Sequence, residues 1–377
     1  MLANLFDNFR DRRILLTGHT GFKGSWLALW LKSLGADVLG FALEPPTSPS
    51  HFVVANIQDL LVDSVIDDLR DYDRFSRTFA DFEPDLVMHL AAQSVVRTGY
   101  LEPLDTFATN VMGTVHVLEA VRRAKRGCAV LLVTSDKCYE NIEQTWGYRE
   151  CDPMGDHDPY GGSKGAAELA VRAYQHSFFP VDRLAEHDVW LATARAGNVI
   201  GGGDWTADAL IVDTVAALVA DQPVSIRSPH AVRPWQHVLQ CLSGYLTIAA
   251  RLLARQEPRV CGNWNIGPYP GGELTVREIV EYFIACWGSG RWVDASPQRV
   301  DREAEILRLS IDKALTHLGW CPTWDVRTTL EMTAEWFQAF QTDPKHMQRV
   351  SNAQIEKFQA DFFVRTQSLT PTAGRCP

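Results

Sequence analysis

Arg13-Ile-Leu-Leu-Thr-Gly-His-Thr-Gly-Phe-Lys-Gly24 is the stretch whose reading decides the fold. Ile14, Leu15 and Leu16 form a short apolar run suited to a buried parallel strand. Gly18, Gly21 and Gly24 follow as G-x-x-G-x-x-G, and Ser25-Trp-Leu-Ala-Leu-Trp-Leu-Lys32 reads as a helix ending near Gly35. Strand, glycine turn and helix in that order make a phosphate-binding context rather than an ordinary turn. Glycines let the backbone approach a pyrophosphate, and the helix N-terminus offers free N–H groups and a partial positive charge. The expectation is a dinucleotide site at the start of a doubly wound α/β domain.

The rest of the composition bounds the function. The chain has 377 residues, enough for a large core and two lobes. A net charge of −10, with no dense basic run, argues against nucleic-acid binding. Met1-Leu-Ala-Asn-Leu-Phe-Asp-Asn8 lacks the basic and apolar regions of a signal peptide, and no stretch approaches transmembrane length, so no membrane role is expected. The eight cysteines contain no C-x-x-C pair. They read as reduced thiols of a cytoplasmic protein, with no metal site.

Outward from the glycine turn, strands and helices alternate. Val38 to Leu43 reads as the second strand, with Glu44 near the distance of a ribose-binding acid, or else an ordinary loop acid. The absence of arginine from 42–50 favours NAD over NADP, although Lys23 and His19 could accommodate a phosphate. Val62 to Asp71 reads as a strand running into a polar turn, where Asp68 and Leu69 could flank an adenine. Asp68 could equally cap a helix over 71–82. Asp85 to Gln93 reads as a buried strand whose end, Leu90-Ala91-Ala92-Gln93, leaves room for a ligand. Pro103 to Arg126 reads as one long helix carrying Asn110, by default a core hydrogen-bonder. Ala129 to Ser135 is a further parallel strand.

That strand runs into Ser135-Asp136-Lys137, polar groups at the carboxyl end of a buried strand. Asp158-Pro-Tyr-Gly-Gly-Ser-Lys164 then opens a helix to about Phe179, with Tyr160 and Lys164 four apart on one face. A lysine beside a phenol favours the phenolate, which predicts a lowered pKa for Tyr160 and a base for a sugar hydroxyl.

T-G-x-x-G-F-x-G at 17–24, H-L-A-A-Q at 89–93, the Asn110 helix, Ser135 and Y-G-G-S-K at 160–164 resemble an extended short-chain dehydrogenase/reductase. Thr134-Ser-Asp-Lys-Cys-Tyr-Glu-Asn141, Trp146-Gly-Tyr-Arg-Glu150 and Arg195-Ala-Gly-Asn-Val-Ile-Gly-Gly-Gly-Asp-Trp205 narrow the resemblance to the nucleotide-sugar 4,6-dehydratases, of the type acting on CDP-glucose. It spans about residues 8 to 340. The resemblance implies a Rossmann sheet and NAD held by Gly18, Thr20, Gly21, Phe22, Lys23 and Gly24, by Asp68, Leu69, Leu90, Ala91, Ala92 and Asn110, and by Tyr160 and Lys164. It implies a catalytic set of Ser135, Asp136, Lys137, Tyr160 and Lys164. Its relatives mostly carry Thr-Asp-Glu where this chain has Ser135-Asp136-Lys137; the Asp is acid toward the C6 hydroxyl and the Glu is base at C5. Lys137 fills that base position either as a neutral amine or as a cation that stabilises an enolate. Gly161-Gly162 replace the more usual serines and are expected only to adjust packing.

For the substrate, the resemblance implies Gln93, Asn198 at the pyrophosphate, Arg195 ordering the same loop, Arg233 on a phosphate and Glu303 at a ribose. The loop Gly201 to Trp205 is expected to approach a ligand closely, with Asp204 and Trp205 at the site or as turn residues. Thr275 and Glu278 form a capping box. Residues 8–190 are expected to be mainly the cofactor domain, 191–345 mainly a smaller α/β substrate lobe with strands returning to the sheet, and 346–377 an extension, loose after about 365. The helices 103–126 and 160–179 resemble the dimer seam of the superfamily, which implies a homodimer or a tetramer built from it. The expected reaction converts CDP-glucose to its 4-keto-6-deoxy product. The rivals are another nucleotide-sugar dehydratase or epimerase, and a non-catalytic NAD-binding scaffold that would not need Ser135, Tyr160 and Lys164 together.

Overall fold

The computed structural model describes residues 5–271, 274–296 and 307–369. Its centre is a seven-stranded parallel sheet. In chain order the strands and helices are β1 (Arg13–Thr17), α1 (Phe22–Ser33), β2 (Asp37–Ala42), α2 (His51–Val54), β3 (Asp63–Ile66), α3 (Tyr72–Phe82), β4 (Leu86–His89), α4 (Val96–Leu101), α5 (Pro103–Phe107), α6 (Gly113–Ala124), β5 (Cys128–Val133), α7 (Pro159–Ser177), α8 (Leu184–His187) and β6 (Val189–Ala196). The second half adds β7 (Val199–Ile200), α9 (Leu210–Val219), β8 (Val224–Ile226), β9 (Val232–Arg233), β10 (Gln236–His237), α10 (Val238–Ala254), β11 (Asn263–Ile266), β12 (Leu274–Thr275), α11 (Val276–Trp287), β13 (Trp292–Asp294), α12 (Val326–Thr342) and α13 (Met347–Leu369).

The sheet order is β11-β6-β5-β4-β1-β2-β3, with every pair parallel. The chain winds outward from β1 in one direction and from β4 in the other, so a crevice opens between the carboxyl ends of β1 and β4. Strand residues alternate between two covered faces. Ile14, Leu16, Leu86, Met88, Ala129 and Leu131 face a core shared with α1, α10, α12 and α13. Leu15, Val87, Val130 and Leu132 face the core of α3, α6 and α7. The doubly wound fold follows from these two-sided apolar strands.

The second half does two jobs. Strand β11 extends the main sheet beside β6, and α10, buried nearly all round, packs behind β5 and β6. The pairs β8–β13 and β9–β12, with α9 and α11, form the smaller lobe. The capping box at Thr275 and Glu278 is present.

Three local expectations are corrected. The segment 103–126 is not one regular α-helix: Ala108–Met112 is a π-turn between α5 and α6, and it contains Asn110. The cap of α3 is Asp71, whose carboxylate accepts from the Arg74 N–H at 2.9 Å, while Asp68 grips Arg70 instead. The start of the stretch expected to be loose, 366–369, is the last turn of α13, with Thr366 buried, while 370–377 lie outside the described residues.

Candidate active site

The crevice starts at the glycine turn. Gly18 has φ +77°, and a β-carbon there would lie 2.7 Å from the Ala91 amide nitrogen. A β-carbon on Gly24 would lie 2.0 Å from the Gly18 carbonyl oxygen. These two glycines are required by the chain itself. Gly21 differs: a β-carbon would meet only the Gly18 oxygen, at 3.4 Å, so its open side faces the crevice. Gly21 caps α1 with no side-chain hydrogen bond, which leaves the first-turn N–H groups of Phe22, Lys23 and Gly24 for an anion. The Thr20 hydroxyl anchors the turn by donating to the Leu43 carbonyl at 2.8 Å. His19 is not a phosphate cation. It packs over Gly40 and edge-on to Phe52, hydrogen-bonds Ser64, and burial lowers its pKa to about 4.

On the β4 side, the Thr17 hydroxyl accepts the N–H groups of Leu90 and Ala91, both at 3.2 Å, so its proton goes to His89 Nδ1 at 2.7 Å. His89 Nε2–H then donates to Thr114, whose hydroxyl donates to the Asn110 carbonyl. His89 stays neutral, with a pKa lowered to about 3 by burial and then by Lys164. Asn110 accepts from the Gln93 N–H and donates to the Gln93 carbonyl and to Ser163 Oγ, which in turn donates to the Tyr160 carbonyl. Asn110 therefore ties the β4 exit to the helix of Tyr160. The part-buried Gln93 side chain donates to Thr106 Oγ1 and accepts from the Val95 N–H. Leu69 is buried beneath Gly113, and the Asp68 carboxyl is held low by its hydrogen bonds to Arg70, which also pairs with Asp105.

The second wall is the turn after β5. Ser135, Asp136, Tyr160 and Lys164 are all buried. Ser135 Oγ donates to Asp136 Oδ1 at 2.9 Å, and the Lys137 N–H donates to the same oxygen. Burial raises the Asp136 pKa, against the pull of Ser135, Lys137 and Lys23. Its other oxygen sits against Gly197, where a β-carbon would come within 2.8 Å. The expected low pKa of Tyr160 is corrected. Burial raises it, the carboxylates of Asp136 and Asp158 add to that, and the Ser135 hydrogen bond opposes them. Lys164 is itself weakened, to about 8, by burial and by Lys23. The Lys164 ammonium makes no hydrogen bond among the described residues, which suits it to ligand hydroxyls.

Two glycines of α7 set the spacing of this wall. A β-carbon on Gly161 would lie 2.8 Å from the Lys137 carbonyl oxygen, and one on Gly165 would lie 2.8 Å from the Gly155 nitrogen and 3.1 Å from the Cys138 carbonyl oxygen. Gly161 therefore does more than adjust packing: it lets the Asp136–Cys138 turn rest against the helix that carries Tyr160 and Lys164.

The sequence profile of the GDP-mannose 4,6 dehydratase family matches residues 15–254. A CDP-glucose 4,6-dehydratase of Salmonella typhimurium is 46% identical over 332 residues, covering 88% of this chain and 92% of that protein. The chain belongs to this dehydratase family. Its fold is shared with a dTDP-glucose 4,6-dehydratase from Bacillus anthracis, solved in complex with NAD (TM-score 0.71, 21% identity, 89% of this chain and 99% of that one). It is shared also with an epimerase from Methanothermobacter thermautotrophicus (TM-score 0.76, 22% identity, 92% and 97%).

Within this dehydratase, several residues expected at the substrate lie elsewhere. Arg195 is fully buried in a two-pronged ion pair with Glu168, at 2.9 and 2.8 Å, and also donates to Tyr139. A guanidinium so enclosed orders the β6 exit from behind and does not touch a ligand. Trp205 packs edge-on against Trp336, Phe337 and Phe340. The glycines before it make room for the protein's own side chains, not for a ligand: a β-carbon on Gly202 would lie 2.0 Å from the Trp336 ring, and one on Gly203 would lie 2.8 Å from His51. Asp204 closes a turn by accepting from Thr206, and burial raises its pKa. Asn198 lies half-buried next to Gly197, with its carbonyl accepting from the Gln236 N–H, and Arg233 ends β9, paired with Leu274 of β12. Glu303 lies outside the described residues.

Sequence reasoning missed Glu168. It follows Lys164 by four, on the face of Tyr160 and Lys164, and also accepts from Thr134 and Thr193. An acid on the inward face of that helix, with an arginine in a buried strand, was the available signal.

Proposed function

We propose that this protein is a CDP-glucose 4,6-dehydratase that forms CDP-4-keto-6-deoxyglucose and water with bound NAD. One observation carries the reading: the Asp136 carboxyl, buried and pushed toward its protonated form, stands where the Ser135–Tyr160 wall meets the Gly197–Asn198 loop. A proton donor there suits departure of a hydroxyl, a step that a plain epimerisation does not need. The identity to the Salmonella protein supports CDP-glucose as the substrate.

The open side of Gly21, the uncapped first turn of α1 and the small residues Ala91 and Ala92 fit a dinucleotide pyrophosphate. Lys164 would meet its ribose. NAD, when bound, supplies a hydride acceptor for sugar C4 that later returns the hydride to C6. Tyr160 takes the proton of the 4-hydroxyl as C4 becomes a ketone. Burial raises its pKa in the free protein, and a bound oxidised cofactor would supply a positive charge that favours the phenolate. The ketone acidifies the C5 proton. Asp136 protonates the C6 hydroxyl, which leaves as water, while Lys137 takes the C5 proton. Asn198 and Arg233 hold the diphosphate.

The proposed assembly is a homodimer. Leu101, Leu104, Met112 and Leu169 are exposed on the α4–α7 surface, a patch that a second copy would cover. The proposed setting is the cytoplasm, in keeping with seven free thiols among the described cysteines. No helix among the described residues is long and apolar enough to cross a membrane.

The test is to incubate the purified protein with CDP-, dTDP-, GDP- and UDP-hexoses, following the alkali-induced absorbance of 4-keto-6-deoxy sugars and the mass loss of one water. Turnover with CDP-glucose alone is expected. Turnover with another base reassigns the substrate, and bound NAD without water loss returns the protein to the epimerase or scaffold readings.

A further inference from the structure

His51 lies outside the catalytic set and outside every motif read above. It is fully buried, in α2, stacked on Trp26 at 4.5 Å. Its Nδ1 lies 2.9 Å from Ser25 Oγ, in the first turn of α1, and its Nε2 lies 3.0 Å from Ser351 Oγ, in α13. The directions of these bonds are fixed by their neighbours. Ser25 donates its only hydroxyl proton to the Phe22 carbonyl at 3.0 Å, so it accepts from His51 Nδ1–H. His51 Nε2 is then bare and accepts the Ser351 hydroxyl proton. Ser351 in turn accepts the Trp336 indole N–H at 3.0 Å. The result is a one-directional chain from Trp336 through Ser351, His51 and Ser25 to the Phe22 carbonyl. Burial lowers the His51 pKa to about 3, so the neutral tautomer persists through the working pH range. Gly203, at the entrance to the Asp204 turn, also packs on this ring.

We infer that His51 is a positioning residue that couples retention of the dinucleotide to docking of the C-terminal helix, by holding the first turn of α1 through Ser25. This rests on reading Gly18–Gly24 as the pyrophosphate turn. That turn lacks a side-chain cap of its own, so its order comes from bonds made behind it, and the chain from α13 is such a set. The helix that begins at Met347 is in this way part of the cofactor site although it lies outside the crevice.

The test measures NAD affinity by calorimetry, hydrogen exchange of residues 20–27 and thermal stability, on the full chain. Ser351→Ala removes the donor to Nε2. His51→Asn keeps an amide donor toward Ser25 and loses the reach to Ser351. Both are expected to weaken NAD binding by about three- to tenfold, the scale of one hydrogen bond, and to speed exchange in 20–27. Trp30→Phe loosens the same α1–α13 contact, through Phe358, without touching the chain of bonds. It is expected to lower stability at unchanged NAD affinity. Ser351→Ala with lowered stability but wild-type affinity and exchange overturns the inference, as does Trp30→Phe weakening NAD equally. If Ser351→Ala does not fold, His51→Asn decides alone. Gly21→Val separates the two readings: its folding with intact NAD binding would discard the pyrophosphate assignment of the turn itself.

Discussion

Asp136 sits where its charge is opposed, and two measurable properties follow. Its folded pKa is raised above the unfolded value of about 3.9 by burial. Between those two pKa values the folded chain binds more protons than the unfolded one. The resulting stability is therefore full below the unfolded pKa and is lost as pH rises through the folded pKa. Asp136→Asn is accordingly expected to melt higher than the wild type at neutral pH, with the gap closing toward pH 4, as calorimetric scans across pH would record. The same variant is expected to lose about 10²–10⁴-fold in water elimination while still oxidising C4, so that reduced cofactor absorbance accumulates after mixing with substrate. The proposed role of Asp136 as the acid requires wild-type elimination to fall as pH rises through the Asp136 pKa. A site that costs stability for function is expected at a catalytic acid.

At the scale of elements, α7 presents three different things along one side: Tyr160 and Lys164 to the crevice, Gly161 and Gly165 to the Asp136–Cys138 turn, and Glu168 to Arg195. Gly165→Ala forces a β-carbon into backbone at 2.8 Å. It is expected to cost about 1–3 kcal/mol in chemical denaturation and to lower kcat more than KM, since the turn and the helix are pushed apart. Arg195→Met leaves Glu168 buried without its partner, at an expected cost of about 3–5 kcal/mol. The double variant Arg195→Met with Glu168→Leu should recover much of that loss, and a double-mutant cycle measures the recovery. Tyr160 and Lys164 were legible from their four-residue spacing, and so was the glycine turn, because helix and strand periods act locally. Glu168 and the role of Gly161 were not, because each is defined by what lies across the interface. The Gly201–Trp205 loop misled for the same reason. Glycine in sequence announces close approach without saying whether ligand or Trp336 approaches.

For the molecule as a whole, the exposed apolar residues on α4–α7 are the largest unexplained feature of a lone chain. Leu104 is 85% exposed. Leu104→Asp is expected to convert a dimer to a monomer in light scattering after gel filtration, with the fold intact by circular dichroism. A wild type that already elutes as a monomer would remove the dimer proposal.

By itself, the sequence determined the strand-turn-helix start, the alternation of strands and helices that makes the doubly wound sheet, the placing of Tyr160 and Lys164 on one helical face, and the capping box at Thr275. Each rests on residues close in sequence, where hydrophobic period, glycine spacing and side-chain reach follow from local geometry. Tertiary structure alone decided that Arg195 and Trp205 turn inward, that His19 is a neutral core residue, that the Tyr160 pKa rises, and that α13 reaches the first turn of α1 through His51. Burial sets those properties, because it decides whether a charge is solvated or paired and which distant donor meets which acceptor. Burial is a property of the packed chain and of no segment of it.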